Sequence, residues 1–182
     1  MSDKTLKEFN EAFALCEHIF ERKLSDYGAS WRVMRTSSIT DQLLIKARRV
    51  RTLETGHAAM VDEGILPEFM AMVNYGIIGI IQLKCGFSDV KDMTPEDALE
   101  YYKKERDAAR SLMVAKNHDY GEAWREMRVS SFTDIIVTKL LRIKEIEDNG
   151  GKTSVSEGID SNYLDIINYS VFAIIRLTGK EK

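Results

Sequence analysis

Asp165 lies in the run SNYLDIINYSVFAIIRL, three residues before Asn168 and on the same helical face. A carboxylate in so apolar a segment needs a partner, because burying an unpaired charge is costly. Lys139 and Arg142 are candidates, and so is a bound cation. Glu157 and Asp160 stand just upstream of Asp165. Together the three acids offer oxygen ligands of the kind Mg²⁺ takes, with Asp165 and Glu157 as the candidate catalytic groups. The alternative is a satisfied polar network that fixes helix register. Asn74 and Asn168, each nearly alone among apolar residues, pose the same choice.

Lys46 and Arg49 recur as Lys139 and Arg142. Spaced by three, each pair shares a helix face. Arg offers phosphate a planar fork and Lys a point charge. The competing role is ion pairing to Glu54, Glu63 and their counterparts. A third element, Asp-Tyr-Gly-x-x-Trp, occurs as Asp26-Tyr27-Gly28 with Trp31 and as Asp119-Tyr120-Gly121 with Trp124. Its aromatics could stack on a base. Equally, the glycine could stop a helix and the tryptophan anchor the loop to the core. The fourth is Ser-Ser-x-Thr-Asp, at Ser37 to Asp41 and Ser130 to Asp134. Ser38 and Asp41 have capping-box spacing, while free N–H groups there would suit a phosphate and the aspartates a metal.

Other chemistries find little support. His18, His57 and His118 do not cluster by spacing, and the His118-Asp119 pair has Ser25-Asp26 in its place in the other copy. Cys16 and Cys85 belong to no Cys-x-x-Cys pattern, which points to a reduced, cytoplasmic setting. There is no Ser/His/Asp logic and no glycine-rich phosphate loop.

The elements that must position these residues come in two copies. Residues 23–54 align with 116–147 at an offset of 93 without a gap, and 15 of the 32 positions are identical. After a loop one residue longer in the second copy, PEFMAMVNYGIIGIIQL aligns with SNYLDIINYSVFAIIRL at an offset of 94. The pairing sets Glu68 against Asn162 and Ala71 against Asp165, so neither copy carries a complete Glu-x-x-Asp pair.

Phe9, Phe13, Cys16 and Phe20 recur at three- and four-residue steps, as do Leu43, Ala47 and Val50. Each module therefore reads as a helix over about 6–23 (95–116 in the second copy), a loop, a second helix from Ser38 (Ser131), and a third, very apolar helix. Thr94-Pro95 supplies an N-cap and a first-turn proline. The expected fold is all-α, a tandem duplication of a three-helix module packed as a pseudo-two-fold bundle. The modules are 1–85 and 94–182, residues 86–93 are the linker, and the third helices are central.

With 44% hydrophobic and 30% charged residues the chain has a globular composition. A net charge of -3 argues against an extended nucleic-acid surface, though not against a local basic site. The apolar stretch 65–83 is interrupted by Pro67, Glu68, Asn74 and two glycines, which favours a buried helix over a membrane span. A fused symmetric pair also raises the expectation of homodimer-like association.

Lys-x-x-Asp-Tyr-Gly, a Lys-x-x-Arg helix and Asp-x-x-Asn-Tyr, taken together, resemble the nucleotide modification associated domain 1 family over residues 6–83 and 95–178. That resemblance implies a role in processing or modifying nucleotides. More distantly, the chain is similar to MazG-type all-α nucleoside triphosphate pyrophosphatases, from which it departs in lacking a Glu-Glu-x-x-Glu helix. By that similarity Asp165 is a metal ligand with Glu157 as helper, and Lys139 and Arg142, or Lys46 and Arg49, hold phosphates. The residues themselves add an aromatic of the Asp-Tyr-Gly-x-x-Trp loop (Tyr27, Trp31, Tyr120 or Trp124) stacked on the base, with Asn74 and Asn168 as further nucleotide-binding candidates. The alternative is a non-catalytic helical scaffold whose repeated motifs are structural.

Overall fold

A computed structural model describes residues 2–56, 64–155 and 157–179. His57 and Glu63 lie outside the described residues. The first module holds α1 (Asp3–Tyr27), a 3-10 turn (Ser30–Val33), α2 (Thr36–Glu54) and α3 (Leu66–Cys85). The second repeats the order with α4 (Pro95–Tyr120), a 3-10 turn (Ala123–Glu126), α5 (Val129–Asp148) and α6 (Ile159–Thr178). The described residues include no strand.

The helices end where local chemistry ends them. The Ser2 and Thr94 hydroxyls accept from the Thr5 and Asp97 N–H groups and cap α1 and α4. At the other end Gly28 (φ +68°) and Gly121 (φ +64°) adopt the left-handed conformation that stops each helix. Both helices therefore run a turn further than spacing alone indicates, and Asp-Tyr is their last turn rather than loop. The capping-box expectation at Ser38 fails. The Ser38 N–H already bonds to the Arg35 carbonyl at 3.0 Å, so α2 starts earlier, with Arg35 at the cap position and no side-chain cap.

The six helices stack as three layers of two. α3 and α6 form the middle layer, α2 and α5 pack together on one side, and α1 and α4 lie across the other. The close approach of α3 to α6 depends on glycine. A Cβ on Gly79 would meet the Tyr163 ring at 2.8 Å, and one on Gly76 would meet Ile167 at 2.7 Å. α3 is long and apolar enough to cross a membrane, and 67% of its apolar window is buried inside the fold.

Reciprocal bonds mark the pseudo-two-fold axis. Thr40 donates to Glu147 at 2.9 Å, and Thr133 to Glu54 at 3.0 Å. Lys144 pairs with Asp41, and Arg51 with Asp134. In each case the partners exchange places at the repeat offset, as at the interface of a symmetric dimer. Ser-Ser-x-Thr-Asp thus serves the seam between modules.

Candidate functional site

Each third helix is tied to its own first helix by the repeated asparagine. The Asn74 amide donates to the Cys16 carbonyl at 2.9 Å, and the Asn168 amide to the Ala109 carbonyl at 3.1 Å. Asn74 Oδ1 also accepts from the Tyr102 hydroxyl at 2.7 Å. Phe9 stands at the position equivalent to Tyr102, and Asn168 Oδ1 is left without a partner among the described residues. Both asparagines therefore tie helices together, with Asn74 using its amide and its oxygen and Asn168 its amide.

Beyond that shared frame the two modules diverge. In the second, Asp165 is 5% exposed. Its Oδ2 lies 2.7 Å from Lys139 Nζ, and its Oδ1 accepts from Lys116 Nζ. Burial works against the Lys116 ammonium, yet the Asp165 carboxylate raises it above its ordinary value. The Tyr169 phenol is raised as well, by burial and then by Asp165. One turn beyond Tyr169, Phe172 stacks on Trp124 with ring centroids 4.4 Å apart. The carboxylate and the two rings fill this half. Tyr120 is 77% exposed.

In the first module the equivalent space is open. A cavity of about 300 Å³ lies between the end of α1, the loop after Gly28 and the first half of α3. Phe20, Tyr27, Trp31 and Tyr75 supply aromatic walls, and Lys23, Ala71, Asn74 and Ile78 complete them. Ala71 stands where Asp165 stands in the other module, and Ile78 where Phe172 does, so both the carboxylate and the plugging ring are missing. Lys46 does not line the cavity, but its Nζ sits 5.6 Å from the centroid of the Tyr75 ring, which does. It also lies 3.5 Å from Glu68, which Arg49 engages too. Glu68 is buried, so the two cations offset its desolvation.

The remaining candidates divide between the modules. Tyr27, Trp31 and Asn74 line the cavity, and Lys46 and Arg49 of the same module meet at Glu68. Lys139, Trp124 and Asn168 belong to the filled side. Arg142 is exposed in a shallow groove with Lys152 and Asn149. The acids considered for Mg²⁺ do not form a set that fits the ion. Both Asp165 oxygens face ammonium groups, Glu157 lies 3.9 Å from Lys139, and Asp160 is exposed in the first turn of α6. Among the described residues no three His, Cys, Asp or Glu side chains gather as a metal site requires.

Sequence reasoning missed Lys23 and Lys116 as site residues. Their signal was present, since they open the block that aligns without a gap. It also missed Tyr75, which follows Asn74 in the paired Asn-Tyr.

The chain matches no curated protein and no solved structure. The family model of nucleotide modification associated domain 1 matches residues 23–83 and again 116–177. Those two segments take in the Asp-Tyr-Gly turn, the Lys-x-x-Arg helix and the Asn-Tyr helix of both modules and cover more than half of the chain, which therefore belongs to the nucleotide modification associated domain 1 family.

Proposed function

We propose that the first module binds a nucleoside phosphate. The ring system enters the cavity between Tyr27, Phe20 and Tyr75, and the phosphates lie toward Lys23, Lys46 and Arg49. The observation that supports this reading is the cavity itself, a space of about 300 Å³ with aromatic walls and a cationic edge. Aromatic faces stack on any base, while lysine and arginine meet phosphate oxygens through charge-assisted hydrogen bonds. Glu68 is the internal competitor for those cations and leaves them partly when phosphate arrives. Mg²⁺ enters, in this reading, on the nucleotide's own phosphates. The family's association with nucleotide modification points to the same ligand class.

Thermal unfolding against a panel of nucleoside mono- and triphosphates, with and without Mg²⁺, tests the proposal. A ligand that binds only the folded state raises the midpoint with the logarithm of its concentration. The expected result is an upward shift with one nucleotide class that Tyr75→Ala and Lys46→Ala each reduce. Absence of any shift at millimolar nucleotide would overturn it. Pyrophosphate release in the same mixtures would extend binding to hydrolysis.

A further inference from the structure

The two modules share a frame but differ at one pair of positions, and that difference says what the open one lacks. In the second module Lys116 and Lys139 converge on Asp165, one ammonium to each carboxylate oxygen. In the first, Lys23 and Lys46 hold the equivalent positions while Ala71 replaces the aspartate. Lys23 lines the cavity and has no ion pair among the described residues, and Lys46 pairs with Glu68 at 3.5 Å and lies over the Tyr75 ring. Two ammonium groups brought together repel each other unless an anion stands between them. The second module carries that anion in its own chain; in the first, Glu68 answers Lys46 and Arg49 while Lys23 is left without a carboxylate among the described residues, and the cavity has space for an anion from outside.

We propose that the Asp165 carboxylate is a built-in stand-in for a ligand's phosphoryl group, and that the first module receives that group beside Ala71, between Lys23 and Lys46. The second module is closed to the same ligand because Asp165 and Phe172 occupy its place. The chain therefore binds one ligand, although its fold has two modules. This rests on reading the cavity as a nucleotide site and specifies where in it the phosphoryl group sits.

The test uses inorganic phosphate, at constant ionic strength, with wild type, Ala71→Asp, Ala71→Asn, Lys23→Ala and Lys116→Ala. Phosphate raises the unfolding midpoint of the wild type. Ala71→Asp raises the midpoint without phosphate and weakens the phosphate response at least tenfold. Ala71→Asn, of the same size but neutral, does not raise the midpoint. Lys23→Ala removes the phosphate response, and Lys116→Ala leaves it intact. An Ala71→Asp protein that keeps the full phosphate response overturns the proposal, as does a response lost in Lys116→Ala rather than Lys23→Ala. Should Ala71→Asp fail to fold, the comparison of Lys23→Ala with Lys116→Ala decides alone. A phosphate response without any nucleotide response would sink the nucleotide reading and leave this inference standing. A nucleotide response untouched by Ala71→Asp would do the reverse.

Discussion

The Thr40 hydroxyl donates to Glu147 at 2.9 Å across the boundary between the two modules. Thr133 makes the same bond to Glu54 at 3.0 Å on the other side of the pseudo-two-fold axis. Burial pushes both carboxyls above their ordinary value, while the threonine hydrogen bonds pull the other way. The folded state thus holds these two protons more tightly than the unfolded chain. Their contribution to stability is fully present below the unfolded glutamate value and is lost as pH rises through the folded values. Glu54→Gln/Glu147→Gln keeps an acceptor for each threonine and removes the titration. The double variant should unfold at a higher temperature than wild type near neutral pH, and the gap should shrink toward pH ~4. Thermal unfolding across that range reads the difference, and a gap that widens in acid would refute the account.

Glu122 titrates in the opposite sense. The Thr5 hydrogen bond, with help from Arg125 and Ser2, lowers its carboxyl to about 2. Its stabilising effect is present above the unfolded glutamate value and is lost as pH falls toward that folded value. Because the bonds run from the start of α1 to the turn after α4, their loss should release the N-terminal end first. Protection of the amides in the first turns of α1, relative to their intrinsic exchange at each pH, should fall as pH drops below ~4 in wild type and be low already at neutral pH in Glu122→Ala. Equal exchange in the two proteins at neutral pH would remove Glu122 from that role.

Lys139 and Asp165 form a buried pair, and removing either partner leaves a charge with less compensation. Lys139→Ala leaves Asp165 to Lys116 alone and should cost about 1–3 kcal/mol in urea unfolding. Asp165→Ala strands two ammonium groups and should cost a similar amount. The double variant should cost less than the sum of the two, with a coupling above about 0.5 kcal/mol. Strict additivity would mean that the contact contributes nothing of its own.

Gly79 lies against the Tyr163 ring with no room for a side chain. Alanine would improve the intrinsic helix propensity by about 1 kcal/mol. It would also drive α3 away from α6 in the middle layer, where overpacking costs typically 1–3 kcal/mol. Gly79→Ala should therefore be destabilising overall, and most of the loss should disappear in a Tyr163→Leu background. A stabilised single variant would show that the two helices can separate freely.

Ile78 occupies in the open module the place that Phe172 takes in the filled one. Ile78→Phe should lay a ring against Trp31 as Phe172 lies against Trp124, and so close the cavity. The variant should unfold no lower than wild type, since the added ring fills space rather than displacing packed atoms. It should also lose the nucleotide-induced shift. A shift of wild-type size in a folded Ile78→Phe protein would place the ligand elsewhere.

The duplication, the six helices and the central place of the third pair were all legible in the letters. Repeat identity, apolar spacing, Thr94-Pro95 and the two Gly stops are local signals, and each acts within a few residues. The demand that Asp165 have a cationic partner was legible too, because it follows from burying a charge. Where the polar groups meet was not. Lys116 reaches Asp165 across 49 residues, and Thr40 reaches Glu147 across 107. Such partners are chosen by how helices cross, which no local pattern encodes. The letters already set Ala71 against Asp165, and left open whether one half had lost its site or one composite site drew on both. Only packing shows what the difference does, because the alanine and the isoleucine border a cavity in one module while a carboxylate and a stacked ring stand at their positions in the other.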